Sequence, residues 1–185
     1  LAGKIPDVSN LKKTAEDWKI LASAGKNANL STVSGMELAI AEVEQIASDS
    51  PVYVKSRELL SGWSNQKEDL TRLASARDLA KSGDIESLQS AIGLAELIKQ
   101  DNELYREARR EISQWTKEIQ TIEDRPIIAT AQELAMGNNV DAWKSAINEA
   151  RKIAPNRALS SEATDLIRGW QSQIEIVEDR PTLDN

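Results

Sequence analysis

Residues 104–122 read LYREARREISQWTKEIQTI, and apolar side chains recur in this stretch at every third or fourth position. Those positions are Leu104, Ala108, Ile112, Trp115, Ile119 and Ile122. This spacing places them on one face of an α-helix. Residues 159–177 repeat the pattern, and no segment alternates as a half-buried strand does. The sequence therefore predicts an all-α protein.

Three tryptophans, Trp63, Trp115 and Trp170, mark an internal repeat, because they lie 52 and 55 residues apart. Each has an isoleucine 23 residues before it, and these are Ile40, Ile92 and Ile147. The text IEDRP at 122–126 returns as VEDRP at 177–181, and EDLTR stands at 68–72. We expect one array over 1–185 made of three repeats, at about 9–69, 70–121 and 122–178, with length differences near Gly25, Gly83 and Gly137.

Helix signals divide each repeat into antiparallel hairpins. Ser50-Pro51 is expected to start a helix as N-cap and first residue. Asp84 after Gly83, and the pair Asn138-Asn139 after Gly137, are expected to cap the helices that follow them. Pro126 is expected to kink or divide a helix. About eight helices follow, near 9–24, 35–47, 51–81, 85–99, 103–124, 126–136, 140–154 and 160–178. Hairpins that each expose an apolar stripe are expected to stack as a short α-solenoid or elongated bundle.

Composition excludes several kinds of chemistry. The 185 residues carry a net charge of −7, which disfavours nucleic-acid binding because such binders need a basic face. No cysteine or histidine is present, so disulfides, thiolate or imidazole catalysis and the common zinc sites are excluded. There is no run of 18 apolar residues, so we predict no membrane insertion by this segment.

The repeated positions are interpreted as core residues, because they continue the apolar stripe. This repeat core consists of Ile40, Trp63, Ile92, Trp115, Ile147 and Trp170. Trp143 and Trp18 are also expected to pack. The acidic pairs Glu123-Asp124 and Glu178-Asp179 could be acid–base or metal groups, but their repetition favours polar helix ends with local ion pairs and capping roles. We predict no catalytic, cofactor-binding or metal-binding residue and no cofactor.

Several quoted residues resemble a repeat of cyanobacterial proteins, in which an AI…A…I helix precedes SPLY…A…I..W. The matching residues are Ala39-Ile40, Ser50-Pro51-Val52-Tyr53 and Trp63, then Ala91-Ile92, Leu104-Tyr105, Ala108 and Trp115, then Ala146-Ile147, Ala163 and Trp170. The third repeat has Ser160 in place of tyrosine. The resemblance implies a large helical-repeat protein with other modules or a membrane anchor elsewhere, and no catalytic residues. The architecture is similar to tetratricopeptide solenoids, although the unit exceeds their roughly 34 residues.

These observations favour a non-catalytic protein-interaction or scaffold module, whose protein partner, binding surface and oligomeric state the sequence leaves open. The alternative is a structural spacer or membrane-tethered arm of a larger protein, and a regulatory domain of an enzyme is the least favoured. The compartment also stays open: the cytoplasm is favoured, with the periplasm or a membrane-tethered position as alternatives. Because VEDRP opens a new copy at 177–181, we expect the chain to be a piece of a longer protein.

Overall fold

A computed structural model describes residues 8–179, which form seven α-helices and no strand. The helices are α1 Val8–Ala28, α2 Val33–Glu44, α3 Tyr53–Ala80, α4 Ile85–Glu96, α5 Tyr105–Ala135, α6 Val140–Ala150 and α7 Ser160–Glu178. The predicted all-α class is confirmed. The expected single helix over 51–81 is confirmed as α3, while the expected number of about eight helices is wrong for the described range.

The expected break at Pro126 accounts for the difference, since α5 runs through this proline without ending. Proline removes the hydrogen bond to the carbonyl four residues earlier, which here belongs to Ile122. Ile122 and Pro126 are both exposed, so water can satisfy that carbonyl. Ile128 and Ala131 continue the buried stripe of α5 beyond the proline. Burial of this stripe outweighs the local cost of the proline.

Ser50 is not the N-cap of α3, because the helix begins three residues later at Tyr53. Pro51 and Val52 lie in a turn, in which the Val52 N–H donates to Ser50 Oγ at 3.3 Å. The Tyr53 N–H donates to the Ser50 carbonyl at 3.1 Å. The Ser50 hydroxyl proton is directed to Asp17, so this side chain closes a contact between distant segments rather than starting a helix.

The short helices α2, α4 and α6 all start with the same two-residue capping turn. A residue with positive φ comes directly before a side chain that accepts a hydrogen bond of 2.9–3.0 Å from the N–H three positions later. The pairs are Ser31-Thr32, Gly83-Asp84 and Asn138-Asn139. The predicted capping role of Asp84 is confirmed, and of the predicted pair Asn138-Asn139 the second residue is the N-cap. The hydrogen bond from the Ser87 N–H lowers the pKa of Asp84 below its usual value.

Two of these turns require a glycine. It follows the N-cap in one turn and precedes the N-cap in the other. A Cβ on Gly35, three residues after the cap Thr32, would lie 2.5 Å from the carbonyl oxygen of Asn27. A Cβ on Gly137, two residues before the cap Asn139, would lie 2.8 Å from the Cβ of Ala142. The new Cβ would meet a backbone atom at the first turn and a side chain at the second.

The described chain divides into two compact units that each have their own core. Unit 1 comprises the residues up to Asp78 with Gly93–Arg109, and unit 2 comprises Leu79–Ile92 with the residues from Arg110 onward. In unit 1, α1 packs against α2 around a buried cluster. This cluster, the α1–α2 cluster, contains Leu21, Ala24, Ala28, Met36, Ala39, Val43, Ile46 and Val52. In unit 2, α6 packs against α7 around Trp143, Ile147 and Ile174.

Candidate functional site

Three aspartates are the most informative buried polar residues of the described chain. Asp17, Asp69 and Asp124 expose only 7%, 8% and 3% of their surface. Each is the second residue of a Glu-Asp pair inside a helix, in α1, α3 and α5. A buried carboxylate is costly unless hydrogen bonds or opposite charges compensate it, so the partners of these groups determine their role.

Each aspartate accepts a hydrogen bond of 2.6 Å from a side chain that lies 33 positions later. We call these three contacts the carboxylate joints. The donor–acceptor pairs are Ser50 Oγ to Asp17 Oδ2, Asn102 Nδ2 to Asp69 Oδ2 and Arg157 Nε to Asp124 Oδ2. In every case the donor lies in the loop between a short helix and the next long one. The joint therefore ties that loop to the long helix that precedes the short one.

The donors differ in charge. Ser50 is neutral, and so is Asn102, although Arg72 adds an ion pair with the second oxygen of Asp69 at 2.7 Å. In the third joint the donor itself is charged, because Arg157 carries a guanidinium. Its Nη2 also donates to Glu123 at 2.7 Å. The hydrogen bond to Asp124, followed by the one to Glu123, raises the pKa of the Arg157 guanidinium. Charge-assisted bonds of this kind are stronger than neutral ones.

The expected role of the Glu-Asp pairs as polar helix ends is wrong for Glu123 and Asp124, which lie in the middle of α5. The reason is the continuity of α5 through Pro126, which leaves no helix start to cap. At the end of α7, Glu178 pairs with Lys144 at 3.3 Å and Asp179 is exposed. Among residues 8–179, no group of three or more acidic residues is placed to hold a metal ion.

The length difference between the predicted repeats is not in the turns, where we expected it. Counted from Asp17, Asp69 and Asp124, the N-caps follow at the same distance of 15 residues in all three hairpins. The gap between a repeated tryptophan and its aspartate changes instead, from six residues after Trp63 to nine after Trp115. An α-helix can be three residues longer without losing a backbone hydrogen bond, because each N–H pairs with the carbonyl four residues earlier.

The residues of the predicted repeat core occupy two environments. Trp115 and Ile147 are buried, whereas Ile40, Trp63, Ile92 and Trp170 are half-buried. Trp63 packs against the α1–α2 cluster of unit 1, and Trp170 packs beside Trp143 and Ile147 in unit 2.

Trp143 is buried, as expected, but the expected packing of Trp18 is wrong. This side chain is 56% exposed, because the helix face that carries it meets no other described element.

The donors of the carboxylate joints were missed in the sequence. The three donors are different residue types, a serine, an asparagine and an arginine. Their equivalence is visible only when the three hairpins are compared with one another. The available signal was positional, since Ser50, Asn102 and Arg157 all follow the aspartate of a Glu-Asp pair at one fixed distance. A search for hydrogen-bond donors at equal offsets would have found them.

One groove of unit 1 has the size and lining of a binding surface. It encloses about 550 Å³ between α2, α3 and α4, and we call it the α2–α4 groove. Its lining combines apolar side chains with acidic and basic ones: Val33, Glu37, Lys67, Glu68, Thr71, Arg72, Ser75 and Leu94. Arg72 is already engaged by Glu68 and Asp69, so the second carboxylate joint borders this groove.

Comparison with protein-family models, curated proteins and solved structures gives no match. The resemblance to cyanobacterial helical repeats therefore stays a prediction. Within residues 8–179, none of the helices has the length and apolar character needed to cross a membrane.

Proposed function

We propose that the chain is a non-catalytic protein-interaction module in which helical hairpins of the cyanobacterial repeat type stack in one array. The observation that carries this proposal is the α2–α4 groove. It offers apolar contact at Val33 and Leu94 and both signs of charge at Glu37 and Lys67, a combination that fits a protein segment. A peptide or helix with one or two apolar anchors is the expected ligand.

The carboxylate joints support a scaffold role. Each buried aspartate has its hydrogen-bond donor, which fixes the loop and the adjoining helix in one arrangement. A surface held in this way loses little conformational entropy when it binds a partner. The same groups are poor candidates for chemistry, because each is engaged with a fixed donor in a separate place along the chain.

The groove can be tested by filling it. Ser75→Arg places a long cationic side chain over the α2–α4 groove, while Ser90→Arg, at an exposed position of α4 outside that lining, is the matched control. Native lysate is passed over the wild-type and variant chains, and the captured proteins are quantified by mass spectrometry. A protein identified in this way is then purified and titrated by calorimetry.

We expect one protein to bind the wild type and Ser90→Arg equally, and Ser75→Arg at least about tenfold more weakly, which corresponds to roughly 1.4 kcal/mol. The proposal is overturned if no captured protein distinguishes the two arginine variants. Circular dichroism and urea unfolding of both variants exclude a simple loss of fold.

A structural spacer is the second candidate, and the long helices favour it. The helices α3 and α5 contain 28 and 31 residues without interruption, so they extend roughly 42 and 46 Å at 1.5 Å per residue. Deletion or duplication of the whole repeat 70–121 in the natural protein discriminates the two roles. If the chain is a spacer, the activity of the natural protein should change gradually with the number of repeats. If it is an interaction module, a single substitution in the α2–α4 groove should abolish that activity.

A further inference from the structure

The first helix exposes an apolar stripe that no described part of the chain covers. Leu11 and Trp18 are 58% and 56% exposed, and Ala15 and Ala22 between and beyond them are exposed as well. These residues follow each other at three- and four-residue intervals, so they share one face of α1. Two large side chains of this kind on one helix face are typical of a contact surface.

The corresponding positions of α3 show what such a face covers. Leu11 and Trp18 lie six residues before and one residue after Asp17, and Trp63 and Leu70 have the same relation to Asp69. Trp63 and Leu70 both pack against the α1–α2 cluster, which is the apolar side of a helical hairpin. The helix α1 thus presents to solvent the pair of positions with which α3 covers a hairpin.

Charge around the stripe defines the partner further. Lys12, Lys19 and Lys26 lie one residue after Leu11, Trp18 and Gly25, so they form a row along one flank of the stripe. All three are exposed, and none forms an ion pair within residues 8–179. This basic flank stands out on a chain whose net charge is −7. A partner with carboxylates beside its apolar surface would be complementary.

We infer that the exposed face of α1 docks on an acidic helical hairpin of a partner protein. The inference rests on the proposed interaction function and names a second surface for it, separate from the α2–α4 groove. In the complex, Leu11 and Trp18 fill the apolar seam of the hairpin and the three lysines face its acidic rim. A second copy of this chain is a poorer occupant, because antiparallel pairing of two α1 helices about a two-fold axis brings the basic flanks together.

The probe is a synthetic, fluorescently labelled helical hairpin whose exposed leucine stripe is flanked by glutamates. A matched hairpin carries lysines at those flanking positions. Both are titrated with the complete chain and followed by fluorescence anisotropy. The variants are Trp18→Ala, the triple charge reversal K12E/K19E/K26E, and Val54→Ala, which truncates another exposed apolar residue of unit 1 as the control.

We expect the glutamate hairpin to bind at least about tenfold more tightly than the lysine hairpin, and Trp18→Ala to weaken it by a similar factor. Val54→Ala should leave its affinity within about twofold, which is under 0.5 kcal/mol. The triple reversal should invert the preference between the two hairpins.

Absence of binding, or equal binding of both hairpins, overturns the inference. So does tight binding to phosphatidylserine vesicles that depends on Trp18 without binding to the hairpin, or a Trp18-dependent dimer in sedimentation. The groove variant Ser75→Arg should bind the glutamate hairpin as the wild type does. A failure of the α1 surface is therefore distinguishable from a failure of the groove.

Discussion

The first hairpin, α1–α2 in unit 1, and the third, formed by the C-terminal part of α5 with α6 in unit 2, perform the same local tasks with different residues. The left-handed turn residue is Ser31 in one and Asn138 in the other. The required glycine lies after the N-cap in the first hairpin, at Gly35, and before it in the third, at Gly137. The two turns therefore share a backbone geometry although different residues form it.

The largest effect is expected at Gly35. Replacement by alanine puts the new Cβ 2.5 Å from a backbone oxygen of Asn27, which only movement of the main chain can relieve. Gly35→Ala should lower the free energy of unfolding by about 3 kcal/mol, measured by urea denaturation. The additional change Leu30→Gly should restore little, because the obstacle is the backbone of the neighbouring helix. Recovery of most of the loss by this second change would contradict the assignment.

The next effect concerns the carboxylate joints. Asp124→Ala removes the buried acceptor of the charged Arg157, which then keeps only its hydrogen bond to Glu123. This change should lower the free energy of unfolding by about 2.5 kcal/mol. Asp17→Ala removes the partner of a neutral hydroxyl and should cost about 1 kcal/mol. Urea unfolding of both variants measures the difference, with Asp165→Ala, at an exposed position of α7, as the control. Equal losses at the two joints would show that the charge of the donor is unimportant.

Gly137 should respond differently from Gly35, because its obstacle is a side chain. Gly137→Ala meets the Cβ of Ala142 and should cost about 1.5 kcal/mol. In the double variant with Ala142→Gly, most of this loss should disappear. A double-mutant cycle by urea unfolding gives the coupling between the two positions, which we expect to be about 1 kcal/mol. Coupling near zero would mean that positions 137 and 142 are not in close contact.

A smaller gain in stability is expected at the left-handed positions. Ser31 has a φ of 50°, a region that glycine adopts without steric cost and that asparagine tolerates better than serine. Ser31→Gly should therefore raise the free energy of unfolding by about 0.5–1 kcal/mol. Asn138→Gly should give a smaller gain. Thermal unfolding of the two variants compares them, and a larger gain at Asn138 would contradict this ranking.

The smallest effect depends on pH and concerns an ion pair between the first helix and the loop that follows the first hairpin. Lys13 donates to Asp49 at 2.7 Å, and this hydrogen bond, with the attraction between the charges, lowers the pKa of Asp49 below its ordinary value of 3.8. A carboxyl whose pKa is lowered by folding adds stability above its unfolded pKa and loses it as the pH falls through the folded pKa. The contribution should be present at pH 7 and absent at pH 2.

The change Asp49→Asn tests this. Its urea midpoint should lie slightly below that of the wild type at pH 7 and coincide with it at pH 2. Lys13→Met should behave in the same way, because it removes the same pair. A difference that persists at pH 2 would assign the effect to packing instead.

Sequence reasoning predicted those features that depend on local rules. The three- and four-residue spacing gave the helical class, and Asp84 and Asn139 were recognised as caps because capping needs only neighbouring residues. It was wrong where tertiary burial outweighed a local rule, as at Pro126. The carboxylate joints were missed because three chemically different donors satisfy one kind of acceptor. The exposure of Trp18 was missed because periodicity identifies an apolar face but not what covers it.

The fixed distance within each carboxylate joint also provides a means of detecting distant kin. Counted from the buried aspartate, a capping side chain follows at 15 residues, an alanine at 22, an isoleucine at 29 and a donor at 33, in all three hairpins. In an aligned column the last position would look random, because Ser50, Asn102 and Arg157 differ in size and charge. A search profile that scores this column by donor capacity, and the alanine by volume, would recognise chains that identity alone passes over.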